Sequence, residues 1–329
     1  MIVTGHNFAS ASAIADLPLA VGPAISATFG HSEEVFVFTA TLIAKDRLSA
    51  GEISVAADRL EQCGTVITGQ GVIEADKAHD FHFIGDALAA RIALEGVFDG
   101  IDVIIQKTAH RHRKLIIADM DSTMITVECI DELADYAGIK PQIAEVTERA
   151  MRGELDFEEA LRSRVALLKG LPEAAIEQCL RERVVIMPGA RELVRTVKAN
   201  GGYAVLISGG FTRFAEPVAA EIGFDRVIAN VLGITDGVLD GTVRGPIVGA
   251  QTKRDTLLAV LAEKGWPIES SLAVGDGAND IPMIEAAGLG VAYHAKPKTR
   301  AAAAASITQC DLSAILFGMG LPRTSWAQD

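Results

Sequence analysis

Apolar and polar residues along the chain change period several times, and each change marks an element. Residues 34–44 (EVFVFTATLIA) form a short β-branched run and predict a strand. Residues 48–64 (LSAGEISVAADRLEQCG) space their apolar positions as a helix does and stop on glycine. HDFHFIG (79–85) alternates like a strand, DALAARIALEGVF is helical, and IDVIIQ (101–106) is again a strand. This strand–helix–strand–helix–strand series predicts a small α+β domain over residues 31–108. Residues 1–30 carry no such pattern and are expected to be a flexible N-terminal segment. The basic run KTAHRHRK (107–114) reads as a solvated linker.

From Lys114 the texture changes. KLIIADMD is a compact apolar strand that ends in polar residues, and residues 131–185 are helical in pattern with charged faces. GGYAVLISGGF (201–211) is a second buried strand running into a glycine turn. Residues 227–248 hold two Asp-Gly signals between alternating apolar positions, which predicts a hairpin. SLAVGDGANDIPMIEAAG (271–288) reads as strand, acidic turn and helix, and LGVAYH closes the series with a strand. The alanine run at 301–305 reads as helix. Strands alternating with helices predict an α/β fold: a doubly wound, mostly parallel sheet over 109–130 and 186–320, interrupted by a helical insertion at 131–185.

Composition narrows the function classes. With 43 acidic and 30 basic residues the net charge is −13, which argues against a nucleic-acid binder with a basic face. It leaves room for an anionic substrate, because a bound cation inverts the local field. The four cysteines form no C-x-x-C pair and suit a reduced, cytoplasmic protein in which they are small core residues. No basic n-region opens the chain and no apolar run is long enough for a membrane span, so a soluble protein is expected.

The candidate chemistry lies where strands end, since open α/β sheets bind ligands beyond the carboxyl ends of their strands. ADMDST, ISGGF and VGDGAND bring Asp119, Asp121, Asp276 and Asp280 toward one edge, with Ser208 and Gly209 between them. Each motif alone is a common turn or cap. Together they concentrate carboxylates that a hard, oxygen-seeking cation such as Mg²⁺ would relieve. A cation beside hydroxyl and amide donors makes a phosphate site, and Lys253 in GAQTKRDTL could balance the remaining negative charge.

The ordered set D-x-D-S-T, S-G-G, K and G-D-G-x-N-D resembles the haloacid-dehalogenase-like phosphohydrolases, and within them the phosphoserine phosphatases. The resemblance spans roughly residues 114–313, and the insertion looks like that group's helical cap. It implies Asp119 as nucleophile and Asp121 as general acid and base. Mg²⁺ would be held by Asp119, the Asp121 carbonyl and Asp276, with Asp280 behind the metal. Ser208, Gly209, Lys253 and Asn279 would hold the phosphoryl group. Glu128 and Arg164 match the residues that bind the substrate's ammonium and carboxylate, and Met151 and Phe157 match apolar cap positions. The implied reaction is hydrolysis of O-phospho-L-serine, the last step of serine biosynthesis. The N-terminal domain resembles ACT-like regulatory domains by element order, which would imply amino-acid binding or a homodimer. Two rivals remain: a phosphotransferase or phosphatase for another small phosphomonoester, and a receiver-like module that stops at a phosphorylated aspartate. The general acid at Asp121 and the cap insertion count against the receiver.

Overall fold

The computed structural model describes residues 36–151 and 154–327, the side chain of Met151 excepted. The expected flexible segment at 1–30 lies outside the described residues. Residues from Phe36 onward form one compact unit.

Its first part runs β1 (Val37–Ala44), α1 (Ala50–Gln62), β2 (Val66–Glu74), β3 (Ala78–Ile84), α2 (Ala87–Leu94) and β4 (Ile101–Lys107). The strands pair antiparallel in the order β2-β3-β1-β4, a split βαβ arrangement. Helix α1 starts on a capping box in which Ser49 and Glu52 satisfy each other's backbone amides. Strand β2 corrects the three-strand expectation. Gly69 and Gly71 interrupt its alternation and read as loop, but the strand absorbs Gly69 as a register shift against β3.

The second part begins with β5 (Leu115–Ala118) and continues through four helices: α3 (Cys129–Tyr136), α4 (Lys140–Met151), α5 (Phe157–Leu167) and α6 (Glu173–Glu182). The insertion is helical, as its pattern predicts. Then follow α7 (Ala190–Ala199), β6 (Tyr203–Phe211), α8 (Thr212–Ile222) and the hairpin β7 (Arg226–Thr235) and β8 (Val238–Arg244). The hairpin turns at Asp236-Gly237, both at positive φ, as a type I′ turn requires. Last come α9 (Ala250–Lys264), β9 (Ser271–Gly275), α10 (Ile281–Ala286), β10 (Leu289–Tyr293), α11 (Pro297–Ala302), β11 (Ala305–Ile307) and α12 (Ala314–Gly318). The alanine run is therefore not all helix: it ends α11 and opens β11, whose three residues are buried.

Strands β11, β10, β9, β5, β6 and β7 are parallel neighbours, and β4 joins β11 antiparallel, so one sheet of eleven strands crosses both parts. From β5 the chain moves to β6 on one side and later to β9 on the other. The order reverses at β5, which makes its carboxyl end the switch point of the sheet.

The run 107–114 is no solvated linker. The Arg111 guanidinium pairs with Asp80 at 2.6 Å and also bonds the carbonyls of Phe317 and Gly318. Arg113 is buried and donates to the Glu269 carbonyl and the Gln106 side chain. Asp102 on β4 adds a third stitch by accepting the backbone amides of Thr308, Gln309 and Cys310. Three of the four free cysteines are buried. No helix among the described residues is long and apolar enough to cross a membrane.

Candidate active site

Strand β5 is fully buried, and Asp119 follows it at once, its amide bonded to the Val274 carbonyl at 3.0 Å. The next residues turn tightly: the amides of Thr123, Met124 and Ile125 all reach the Met120 carbonyl. Ser122 takes the left-handed conformation with φ 55°. This turn folds the chain back so that Glu128 returns toward Asp121. Ser122 donates its hydroxyl to the Glu128 carboxylate at 2.7 Å, and the Cys129 amide reaches Asp121 at 3.3 Å. Glu128 stands at the N-cap of α3 but makes no capping bond with its side chain. Its carboxylate is committed to the site rather than to the helix.

Beneath Asp119 lies Lys253, on the first turn of α9 and wholly buried. Its ammonium is 2.7 Å from Asp119 and 2.7 Å from Asp280. Burial disfavours a charged lysine, but the two carboxylates outweigh that and hold the ammonium charged above its ordinary range. Asp280 also accepts the Gly277 amide at 3.0 Å. Burial, then repulsion from Asp280, pushes Asp119 well above the usual carboxylate range, against the pull of Lys253. Asp276 is raised to about 6 by burial, Asp280 and Glu128, and accepts the Thr123 hydroxyl at 3.2 Å. Burial and Glu128 raise Asp121 to about 7.

Glycines let these groups come close. A Cβ at Gly210 would sit 2.7 Å from Asp121 Oδ2, and one at Gly275 would sit 2.4 Å from the Asp280 carboxyl carbon. Ser208 is fully buried at the end of β6, and its hydroxyl accepts the Gly210 amide at 2.8 Å. The glycines expected to turn lie instead inside β6, where its register against β7 shifts, and Asn230 braces them by donating to the Gly209 carbonyl at 2.8 Å while accepting the Val248 amide.

Above lies a cavity of about 610 Å³ between the core strand ends and the helical insertion. It is lined by Asp119, Asp121, Glu128, Phe157, Arg164, Gly209, Asp276 and Asn279, all expected from the sequence. Ser208, Lys253 and Asp280, also expected, lie buried and do not line it. The Met151 side chain is outside the described residues. Phe157 stands 3.2 Å from where a Gly209 Cβ would be, so the insertion closes onto the glycines of β6. Arg164 donates to the Ala160 carbonyl at 3.4 Å, leaving most of its guanidinium for the cavity. Asp131, Lys296, Thr123, Gly210 and Asn230 were not singled out in the sequence. Gly210, as the second glycine of ISGGF, and Thr123, as the threonine of ADMDST, carried a signal; Asp131, Lys296 and Asn230 have none that is local.

One oxygen each from Asp119, Asp276 and Asp280 lies within 4.8 Å of the others. This hard-oxygen set, with its uncompensated negative charge, fits a small divalent cation.

A family profile of haloacid dehalogenase-like hydrolases matches residues 116–285, just over half of the chain. A phosphoserine phosphatase of Mycobacterium tuberculosis is 46% identical over 225 residues, which cover 68% of this chain and 55% of that protein. A phosphoserine phosphatase of Polaromonas is 46% identical over 208 residues, 62% of this chain and 88% of its own. The crystal structure of a probable phosphoserine phosphatase from Vibrio cholerae superposes with a TM-score of 0.71 at 35% identity, covering 88% of each chain. The chain spans 55% of the length of the Mycobacterium relative and 88% of the Polaromonas one. By profile, by identity and by the geometry at β5, this chain belongs to the haloacid dehalogenase-like hydrolases.

Proposed function

We propose that the protein hydrolyses O-phospho-L-serine to L-serine and phosphate. The observation that carries this reading is one cavity holding two aspartates two residues apart, a carboxylate at Glu128 and a guanidinium at Arg164. Asp119 attacks phosphorus, and the bond from phosphorus to the seryl oxygen breaks. Asp121 gives that oxygen its proton, so serine leaves neutral at its hydroxyl. A water then attacks the aspartyl phosphate, Asp121 takes the water's proton, and the phosphorus–Asp119 bond breaks to return the carboxylate. Lys253 holds charge at the attacking carboxylate, and the Ser208–Gly210 stretch of β6 offers donors to phosphoryl oxygens.

Asp119, Asp276 and the Asp121 carbonyl would hold Mg²⁺, with Asp280 behind them. When bound, the ion supplies positive charge against the carboxylates and the phosphoryl group. Glu128 binds the substrate ammonium and Arg164 its carboxylate, a pairing suited to planar guanidinium geometry. Phe157 covers the bound substrate. The free thiols fit a cytoplasmic setting.

A Mg²⁺-dependent assay of phosphate release across phosphoserine, phosphothreonine and several sugar phosphates tests this. Phosphoserine should be preferred; equal rates on all would remove the Glu128 and Arg164 roles and leave a general phosphomonoesterase. Transfer of phosphate to added alcohols in place of water would instead favour a phosphotransferase.

A further inference from the structure

The charge lining the cavity is lopsided. Among the described residues Asp119, Asp121, Glu128, Asp131 and Asp276 face it, against Arg164 and Lys296. Lys253 does not help an arriving anion, because it is wholly buried and already paired twice. Arg164 belongs to the insertion, on α5. Lys296 belongs to the opposite, core wall. It sits in the short loop between β10 and α11, where Pro297 starts the helix. Its backbone amide donates to the Asp276 carbonyl at 3.4 Å, which ties this loop to the carboxylate loop. Its side chain is exposed, and its ammonium has no hydrogen-bond or ion-pair partner among the described residues.

We propose that Lys296 is the cation that steers the phosphoryl group into the cavity and meets it there, a specificity residue for phosphomonoesters. The inference rests on the phosphohydrolase reading above. A phosphomonoester carries about −1.5 to −2 charges at neutral pH and must approach a lining of five carboxyl groups, which the Asp121 proton and a bound cation offset only in part. An unpaired ammonium on the rim lowers that barrier and raises the association rate, an effect that salt screens. With Arg164 reserved for the substrate carboxylate, Lys296 is the other lining cation among the described residues, and the phosphate falls to it. The two cations on facing walls then sort the two anionic ends of one substrate.

The test uses the full chain with Mg²⁺, phosphoserine, and an aryl phosphate that lacks both amino-acid handles. Lys296→Ala should lower kcat/KM about tenfold on both substrates at low salt, with kcat within about twofold. Lys296→Glu should lower it roughly a hundredfold, and Lys296→Arg should stay within about threefold of the parent. The fall of kcat/KM with ionic strength should be shallower in Lys296→Ala, a change that a merely structural lysine would not produce. Binding of inorganic phosphate, read without turnover, should weaken in the same order. Unchanged kcat/KM and salt slope in both the Ala and Glu variants would overturn the proposal, as would loss of kcat with the slope retained. A parent protein that cleaves the aryl phosphate but not phosphoserine would overturn the serine reading alone, and Lys296 would then be judged on the aryl substrate and on phosphate binding.

Discussion

Two of the buried-charge networks among the described residues are balanced differently. Where the first part joins the second, one Arg111 guanidinium meets one Asp80 carboxylate, with Thr41 and the carbonyls of Phe317 and Gly318 filling the remaining sites. Charges cancel and donors find acceptors. Under the cavity, one Lys253 ammonium serves both Asp119 and Asp280, and Asp276 adds a further carboxylate nearby. That network carries excess negative charge. The contrast separates two uses of a buried ion: the neutral cluster fixes how the parts dock, while the unbalanced one is stable only with help and is poised for a cation and a phosphate.

The largest effect should come from the unbalanced network. Asp119→Asn keeps the size of the side chain and should abolish turnover while leaving the thermal midpoint near or above that of the parent, since it removes a repelled charge. Phosphate-release kinetics and a melting curve check both halves. The mirror experiment is Arg111→Met. It leaves Asp80 charged and unpaired in a nearly buried place and should cost about 3–5 kcal/mol of stability in denaturant unfolding. The protein that remains folded should keep its kcat. If Arg111→Met lost kcat instead, the two networks would not be separable.

Gly210→Ala comes next. Its methyl would press on Asp121 Oδ2 and Ser208 Oγ, so kcat should fall by roughly a hundredfold or more if Asp121 is the proton carrier. Arg164→Ala should act on recognition alone. Losing a charge-assisted bond of about 1.5–3 kcal/mol raises KM for phosphoserine roughly ten- to hundredfold. An aryl phosphate should be nearly unaffected.

The smallest effect concerns pH at the balanced side. Burial holds the His79 imidazole below its ordinary pKa of 6.5, with neighbouring Asp80 only partly opposing. The unfolded chain therefore takes up a proton that the folded chain resists. His79 contributes its full stability above pH 6.5, and that contribution is lost as pH falls below it. Melting temperatures of the parent should drop more between about pH 7 and pH 5.5 than those of His79→Gln.

What could be read before the structure follows the same division. Asp119, Asp121, Ser208, Gly209, Lys253, Asp276 and Asp280 were legible because each sits at a strand end or helix start, and local pattern marks those places. The hairpin and the helical insertion were legible for the same local reason. Strand β2 was hidden by Gly69 and Gly71, which have the same look in a bulge as in a loop. Strand β11 was hidden by alanine, which has no strand signature. The partners of Arg111 were invisible for a deeper reason. Asp80 is 31 residues away and Phe317 is 206 away, and no periodicity in a sequence encodes such pairings. Asn230 and Thr123 brace the site through long-range contacts of that kind.

The claim at the centre is that Asp119 becomes covalently phosphorylated during turnover. The direct measurement is acid quenching of the enzyme during phosphoserine hydrolysis, borohydride trapping of the acyl phosphate, and mass spectrometry of the peptide holding Asp119. Modification at Asp119, absent from Asp119→Asn, is the predicted result. Full phosphate release with Asp119 never modified, or with the modification on another residue, would contradict the account.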